Sequence, residues 1–154
     1  TNGGVTFGGG EPLLYADFLK EFRSLCGEKW HLCAETSLNV NSEAVELASS
    51  VIDHFYVDIK DMNREIYENY TGKSNERVIE NLKLLLSLTS PERITVRVPL
   101  IKDFNTDSDR EKSVYALKEL GFTQFDLFNY VIKIFICDSD NVTCIAEFSK
   151  FNQI

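Results

Sequence analysis

Short apolar runs alternate with longer amphipathic segments along this chain. The runs with the composition of strands are residues 5–7, 31–37, 54–60, 94–98 and 124–130, and the fourth continues to residue 101. Amphipathic segments of helical period lie between most of them, at residues 13–25, 41–53, 75–88 and 107–120. Strands that alternate with helices of this length predict βα units around a parallel sheet, open or barrel-like, and therefore an α/β fold.

Local signals mark several helix boundaries. Asn41 or Ser42 is a candidate N-cap for the second amphipathic segment, and Gly121 closes the last one. Pro91 helps to end the third segment. In the first segment, the helical period places four apolar side chains on one stripe: Leu14, Phe18, Phe22 and Leu25.

The predicted strands carry a repeated polar face. Alternation puts Phe55 and Val57 on one side of the third strand and Asp58 on the other. Across the strands, the polar side collects four charged residues: Glu35, Asp58, Lys60 and Arg97. Strands covered by helices on both faces are almost continuously apolar, so this pattern favours a barrel whose interior binds a polar ligand. The solvated face of an open sheet explains the pattern nearly as well, and both interpretations remain open.

The N-terminal stretch "TNGGVTFGGGEP" is rich in glycine and ends in proline. Glycine lets the backbone approach a ligand closely and also permits a tight turn between a strand and a helix. A carboxylate such as that of Glu11, together with carbonyls at a strand end, can accept hydrogen bonds from an ammonium group. The two interpretations of the glycines are compatible.

Charge and composition exclude several classes of partner. The 154 residues fit one domain with one core, and 44% of them are hydrophobic. A formal net charge of -8 argues against binding to nucleic acid or to an anionic membrane surface. No apolar run reaches the roughly 20 residues that cross a bilayer. We therefore expect a cytoplasmic protein with neither nucleic-acid nor membrane partners.

The cysteines form no recognisable metal motif. Cys26 and Cys33, and likewise Cys137 and Cys144, are separated by six residues. Neither spacing matches CxxC or CxxxCxxC, so the chain carries no zinc or iron–sulfur ligand set of its own. The four cysteines are better interpreted as small hydrophobic side chains in the interior of the protein.

Five motifs together resemble a known family. They are "GGVTFGGGEPLL" at 3–14, "ETSL" at 35–38, "DIKDMN" at 58–63, "TGKSN" at 71–75 and "RVPLIKDFN" at 97–105. In this order and spacing they resemble the radical S-adenosylmethionine (SAM) activating enzymes of glycyl radical enzymes, most closely pyruvate formate-lyase activating enzyme. The resemblance covers about residues 3 to 130. It implies a partial (β/α) barrel, here without the first βα unit, which would leave one edge of the sheet exposed.

The resemblance also implies a set of cofactor-binding residues. They are Gly9, Gly10, Glu11, Glu35, Thr36, Ser37, Asp58, Lys60 and Arg97. The Gly-Gly-Glu group would meet the methionyl amino group of SAM. Glu35, followed by Thr36 and Ser37, would hold the amino acid end and a nearby cation. Asp58 and Lys60 would form a strand end at which the lysine contacts the carboxylate or ribose. Arg97 would lie near the carboxylate, and Arg suits a bidentate carboxylate contact. The alternative for the charged residues is a mutual salt-bridge cluster.

The chemistry that the resemblance implies needs a cofactor pair and two protein partners. A 4Fe-4S cluster held by three cysteines would reduce SAM to methionine and a 5′-deoxyadenosyl radical, which takes hydrogen from a glycine of the partner, a glycyl radical enzyme. A flavodoxin-like or ferredoxin-like protein would supply the electron. The family's CxxxCxxC lies upstream of the Gly-Gly-Glu strand and is absent here, so the expectation is a C-terminal portion of an activating enzyme, inactive by itself. A non-catalytic module that binds SAM or a protein is the alternative.

The C-terminal residues do not follow the family pattern. We expect residues 1–131 to form the partial barrel and residues 132–154 to form a tail. Val131 stands where the activating enzymes place a histidine. The tail reads as two strands around the turn "DSDN", with Cys137 and Cys144 near facing positions. A structural hairpin is the simplest interpretation.

Overall fold

The computed structural model describes residues 3–130, and the tail predicted for residues 132–154 lies outside this range. The strands are β1 Gly4–Phe7, β2 His31–Thr36, β3 His54–Asp58, β4 Ile94–Ile101 and β5 Gln124–Tyr130. The helices are α1 Ala16–Cys26, α2 Ser42–Ser49, α3 Arg64–Thr71, α4 Glu76–Leu88 and α5 Asp107–Leu120. Short 3₁₀ turns precede α1, β2 and β4, at Pro12–Tyr15, Gly27–Lys29 and Pro91–Arg93.

The five strands form one parallel sheet in the order β1-β2-β3-β4-β5. This order follows the chain without reversal, as in a (β/α) barrel, whereas a doubly wound sheet reverses its strand order. One face of the sheet is buried beneath the helices, and its fully buried side chains include Leu32, Phe55 and Val96. The α/β prediction is therefore confirmed, and one face of the sheet remains to carry polar groups.

Helix boundaries follow from side-chain caps. Asn41 is the N-cap of α2 and accepts a hydrogen bond from the Ala44 amide, which decides between the two candidates. Thr106 and Asp109 form a capping box at the start of α5. The hydrophobic period did not predict α3, because its sequence "REIYENYT" is mostly polar. That helix is bounded by the Asn63 cap and by Gly72 in the left-handed conformation.

The first helix buries a different face from its apolar stripe. Leu14, Phe18 and Leu25 are 68%, 53% and 81% exposed, whereas Leu13 and Leu19 are buried. Leu13 and Leu14 lie in a four-residue 3₁₀ helix, which has three residues per turn rather than 3.6, so the α-helical period does not apply to Leu14. A cluster of aromatic rings in edge-to-face or tilted contact lies beside β1: Phe7, Phe18, Phe22 and Trp30.

Within residues 3–130, no helix is both long enough and apolar enough to cross a membrane. Its longest helix, α5, has 14 residues and carries seven charged side chains between Asp107 and Leu120. A bilayer-spanning helix needs about 20 predominantly apolar residues.

Asp53, directly before β3, makes the stability of this fold depend on pH. Its carboxylate accepts hydrogen bonds from the Leu32 amide and from Arg23. Partial burial opposes the charge, but these bonds outweigh it and hold the pKa of Asp53 below its ordinary value. A carboxylate with a lowered pKa contributes stability above its unfolded pKa of about 3.9, and this stability is lost as the pH falls through the folded pKa.

We therefore expect Asp53→Asn to reduce the free energy of unfolding by about 1 kcal/mol at pH 7, a value kept small because the group is partly exposed. The deficit relative to the wild type should shrink as the pH falls below about 4. Urea unfolding at pH 7, 5 and 3 measures it. An equal deficit at all three pH values would show that the charge of Asp53 is not responsible.

Candidate functional site

Charged side chains meet on the face of the sheet opposite the helices, at the carboxyl ends of the strands. Asp58 on β3 pairs directly with Arg97 on β4 in the parallel register. Glu35 on β2 pairs with Tyr56, two residues before Asp58. Because side chains alternate along a strand, these positions lie on one face. The structure thus brings together charges that are far apart in sequence.

Arg97 links the two carboxylates. Its Nε donates to Asp58 Oδ1 at 2.6 Å, and its Nη2 donates to Glu35 Oε2 at 3.3 Å. Its Nη1 lies 3.3 Å from the other oxygen of Glu35, so the guanidinium faces both oxygens of that carboxylate. The guanidinium carbon lies 5.9 Å from the centre of the Tyr56 ring. The Arg97 side chain is only 19% exposed, and these contacts fix its orientation.

The electrostatics of this cluster favour a charged arginine. Burial opposes the charge on Arg97, but its hydrogen bonds to Asp58 and Glu35 outweigh burial and raise the pKa of the guanidinium above its ordinary value. Lys60 brings a second cation, with Nζ 4.0 Å from Asp58 Oδ2. The salt-bridge cluster considered from sequence is therefore present, and it lies where a ligand at the strand ends would contact it.

Glu11 is held by a separate set of donors. Its Oε1 accepts from the Thr36 hydroxyl at 2.7 Å and from the Leu13 amide at 3.2 Å. Its Oε2 accepts from the Ser37 amide at 2.9 Å and from the Ser37 hydroxyl at 2.7 Å. The residues Thr36 and Ser37 thus orient Glu11. Since β2 carries both Thr36 and Glu35, it joins the Glu11 set to the Arg97 cluster.

The glycine loop passes beside this cluster. Gly9 and Gly10 have φ angles of +80° and +63°, a conformation that glycine adopts without strain. A Cβ added at either position would meet no atom within 4 Å, whereas one at Gly8 would lie 3.5 Å from Glu35 Oε2. The turn between β1 and the 3₁₀ helix therefore favours glycine at both positions because of its backbone conformation. The space beside them is also open enough for a ligand to approach the backbone.

The turn after β2 contains strain that the sequence did not reveal. Leu38 is buried and has a φ of +57°, which is rare for a bulky side chain and costs about 1–3 kcal/mol. Its amide donates to the Thr36 hydroxyl, and its carbonyl accepts from the Asn81 amide at 2.8 Å. The hydrogen bonds with Thr36 and with Asn81 on α4 hold this turn, and no local sequence signal marks the contact with Asn81.

The site as a whole suits a ligand that is both zwitterionic and cationic. The three carboxylates of Glu11, Glu35 and Asp58 and the two cations of Lys60 and Arg97 leave one formal negative charge. SAM carries an ammonium, a carboxylate and a sulfonium, and therefore one net positive charge, so the residues present fit it. In residues 3–130, by contrast, no three His, Cys, Asp or Glu side chains are placed to hold a metal ion. These residues do not fit an iron–sulfur cluster.

Comparisons with known proteins place the chain among families and relatives of known kind. The family model described as "Radical SAM superfamily" matches residues 2–127. The 4-hydroxyphenylacetate decarboxylase activating enzyme of Clostridioides difficile (strain 630) is 42% identical over 114 residues, which are 73% of this chain and 36% of that enzyme. The indoleacetate decarboxylase activating enzyme of Tractidigestivibacter scatoligenes is 40% identical over 108 residues, 70% of this chain and 34% of that enzyme.

A solved structure shows the same fold. A domain of pyruvate-formate lyase-activating enzyme from Bacteroides vulgatus superposes with a TM-score of 0.56 at 19% sequence identity, covering 81% of this chain and 98% of that domain. The chain spans about a third of the length of the curated relatives it matches. The family match covers most of the chain, and the solved structure has the same α/β fold. The chain belongs to the radical SAM superfamily.

Proposed function

We propose that this chain is the SAM-binding portion of an activating enzyme that installs a glycyl radical on a partner enzyme. The observation that carries the proposal is the Arg97 bridge between Glu35 and Asp58, placed at the strand ends beside the glycine loop. The relatives at about 40% identity are activating enzymes of decarboxylases, which supports this class of function over a non-catalytic module.

Each part of the site has a task in binding SAM. Arg97 and Lys60 provide positive charge for the methionyl carboxylate. The backbone of Gly9 and Gly10, with the carboxylate of Glu11, provides acceptors for the ammonium. Thr36 and Ser37 act through Glu11, because their donors hold its carboxylate. When bound and reduced, SAM would supply the radical chemistry that generates methionine and 5′-deoxyadenosine.

The rest of the chemistry requires groups that these residues do not supply. No CxxxCxxC motif is present in the sequence, so we assign the cluster ligands to sequence beyond these 154 residues. The protein substrate is a glycyl radical enzyme, and the electron donor is a flavodoxin-like or ferredoxin-like protein. We retain residues 1–131 as the barrel portion and residues 132–154 as a tail. The cytoplasmic location expected from the sequence remains a prediction.

Reductive cleavage of SAM tests the proposed function. The protein is expressed from its gene with whatever sequence flanks these residues, reconstituted anaerobically with iron and sulfide, and mixed with SAM and dithionite. We expect methionine and 5′-deoxyadenosine in equal amounts, and none without the reductant. SAM binding with no 5′-deoxyadenosine would contradict the activating-enzyme function and support the binding module.

A further inference from the structure

A buried carboxylate lies directly after Lys60, outside the set of predicted ligand contacts. Asp61 is 1% exposed. Its Oδ1 accepts from the Asn63 amide at 2.8 Å and from the Ser113 hydroxyl at 3.0 Å, and its Oδ2 accepts from the Asn105 amide at 3.2 Å. Burial of a carboxylate is unfavourable unless its oxygens are hydrogen-bonded. The side chains that satisfy Asp61 come from α5 and from the turn after β4.

Asn105 ties this carboxylate to the end of β4. It is 8% exposed, and its Nδ2 donates to the Pro99 carbonyl at 3.1 Å as well as to Asp61. Its Oδ1 accepts from the Ile101 amide at 2.6 Å. Through Asn105, Asp61 is therefore connected to the backbone of β4 at Pro99 and Ile101, two and four residues beyond Arg97.

The backbone that follows Asp61 is held as well. The side-chain Nδ2 of Asn75 donates to the Met62 carbonyl at 2.9 Å and lies 3.4 Å from the Asp61 carbonyl. The Met62 amide donates to the Ser113 hydroxyl at 3.0 Å. One residue before Lys60, the Ile59 amide donates to the Arg97 carbonyl at 3.1 Å. Lys60 thus lies between two hydrogen-bonded positions. Ile59, before it, bonds to β4, and Met62, after it, bonds to α5.

We propose that Asp61 is a positioning residue that sets Lys60 against Arg97 across the β3–β4 boundary. Asp61 is connected to the predicted ligand-binding residues in two indirect ways. It follows Lys60 directly in the sequence, and Asn105 links it to β4, which carries Arg97. This inference rests on the proposed function, because it assigns Asp61 a role in aligning the two cations that receive the methionyl carboxylate. Buried polar networks with every member satisfied hold a single arrangement of the groups they join.

A double-mutant cycle with Lys60 tests the proposal in the reconstituted protein. Asp61→Asn places an amide nitrogen where the carboxylate accepts hydrogen bonds, and we expect the dissociation constant for SAM to rise about tenfold. In a Lys60→Ala background, the same change should alter the dissociation constant by less than about twofold, because the residue it aligns is gone. Isothermal titration with SAM measures all four proteins.

The controls separate alignment from general stability. Asp53→Asn removes a carboxylate at the opposite end of β3, and we expect it to lower the melting temperature without changing SAM affinity. A tenfold effect of Asp61→Asn in both backgrounds, or a lower melting temperature with unchanged SAM affinity, would overturn the positioning role. Ser113→Ala leaves the Asp61 carboxylate in place and removes the hydroxyl that donates to it and accepts from the Met62 amide. It keeps the test decisive if Asp61→Asn does not fold, with a smaller loss of affinity expected.

The outcomes also separate this inference from the proposed function. A wild-type protein that neither binds nor cleaves SAM overturns both. A wild-type protein that binds and cleaves SAM, with an Asp61→Asn variant of unchanged affinity, overturns only the role of Asp61.

Discussion

Replacement of Arg97 by methionine is expected to weaken SAM binding at least about 100-fold, which corresponds to about 2.7 kcal/mol. Methionine keeps much of the length of the side chain but removes the charge and the donors to Asp58 and Glu35. The two carboxylates would then lose their shared cation. We also expect the free energy of unfolding to fall by about 2 kcal/mol, below the 3–5 kcal/mol of a fully buried pair because both carboxylates are partly exposed.

Two further variants make this prediction specific. Arg97→Lys retains a charge but cannot face both oxygens of Glu35, so we expect an intermediate loss of SAM affinity of about tenfold. Arg93→Met is the matched control, because Arg93 donates to the carbonyls of Ser49 and Asp53 at the other end of the strands. It should lower stability and leave SAM affinity unchanged. Affinity of Arg97→Met within threefold of the wild type would refute the proposed carboxylate contact.

Replacement of Glu11 by glutamine is expected to weaken SAM binding by about ten- to thirtyfold. The carboxylate accepts four hydrogen bonds from Leu13, Thr36 and Ser37. In glutamine, an amide nitrogen replaces one oxygen, so a donor faces the donors of Thr36 or Ser37. The substitution also removes the negative charge expected to face the SAM ammonium group. Titration calorimetry with SAM, together with thermal unfolding, measures both consequences.

The control for Glu11→Gln is Glu21→Gln, on the exposed side of α1. It removes the same charge from the chain without changing the strand ends, and we expect SAM affinity equal to that of the wild type. If both variants lost affinity equally, net charge rather than the position of Glu11 would explain the effect.

Much of the fold could be predicted from local pattern. Alternation in "HFYVDIK" and "ITVRV" placed Asp58 and Arg97 on the polar side of their strands, and both lie on the face away from the helices. Caps such as Asn41 and Gly121 are local signals, and both bound helices in the structure. Helix α3 is not predicted from the apolar pattern because it is short and mostly polar, with Tyr67 as its buried side chain.

The partnerships within the site depended on tertiary structure. Which carboxylate Arg97 contacts depends on the register between β3 and β4, which no local pattern specifies. Thr36 and Ser37 were predicted as ligand contacts, but their donors reach Glu11 because the glycine turn brings it back over β2. Asp61 and Asn105 lie inside the motifs "DIKDMN" and "RVPLIKDFN". Their burial and mutual hydrogen bond, 44 residues apart in sequence, were not predictable from either motif.

The most direct test of the strand-end site compares two ligands that differ only in the carboxylate. SAM and decarboxylated SAM share the sulfonium, ammonium and adenosine groups. In the reconstituted protein, we predict that SAM binds at least about 100-fold more tightly than the decarboxylated ligand and that Arg97→Met reduces this ratio at least tenfold. An Arg97→Met variant that keeps the full wild-type ratio would contradict recognition of the SAM carboxylate by the Arg97 cluster.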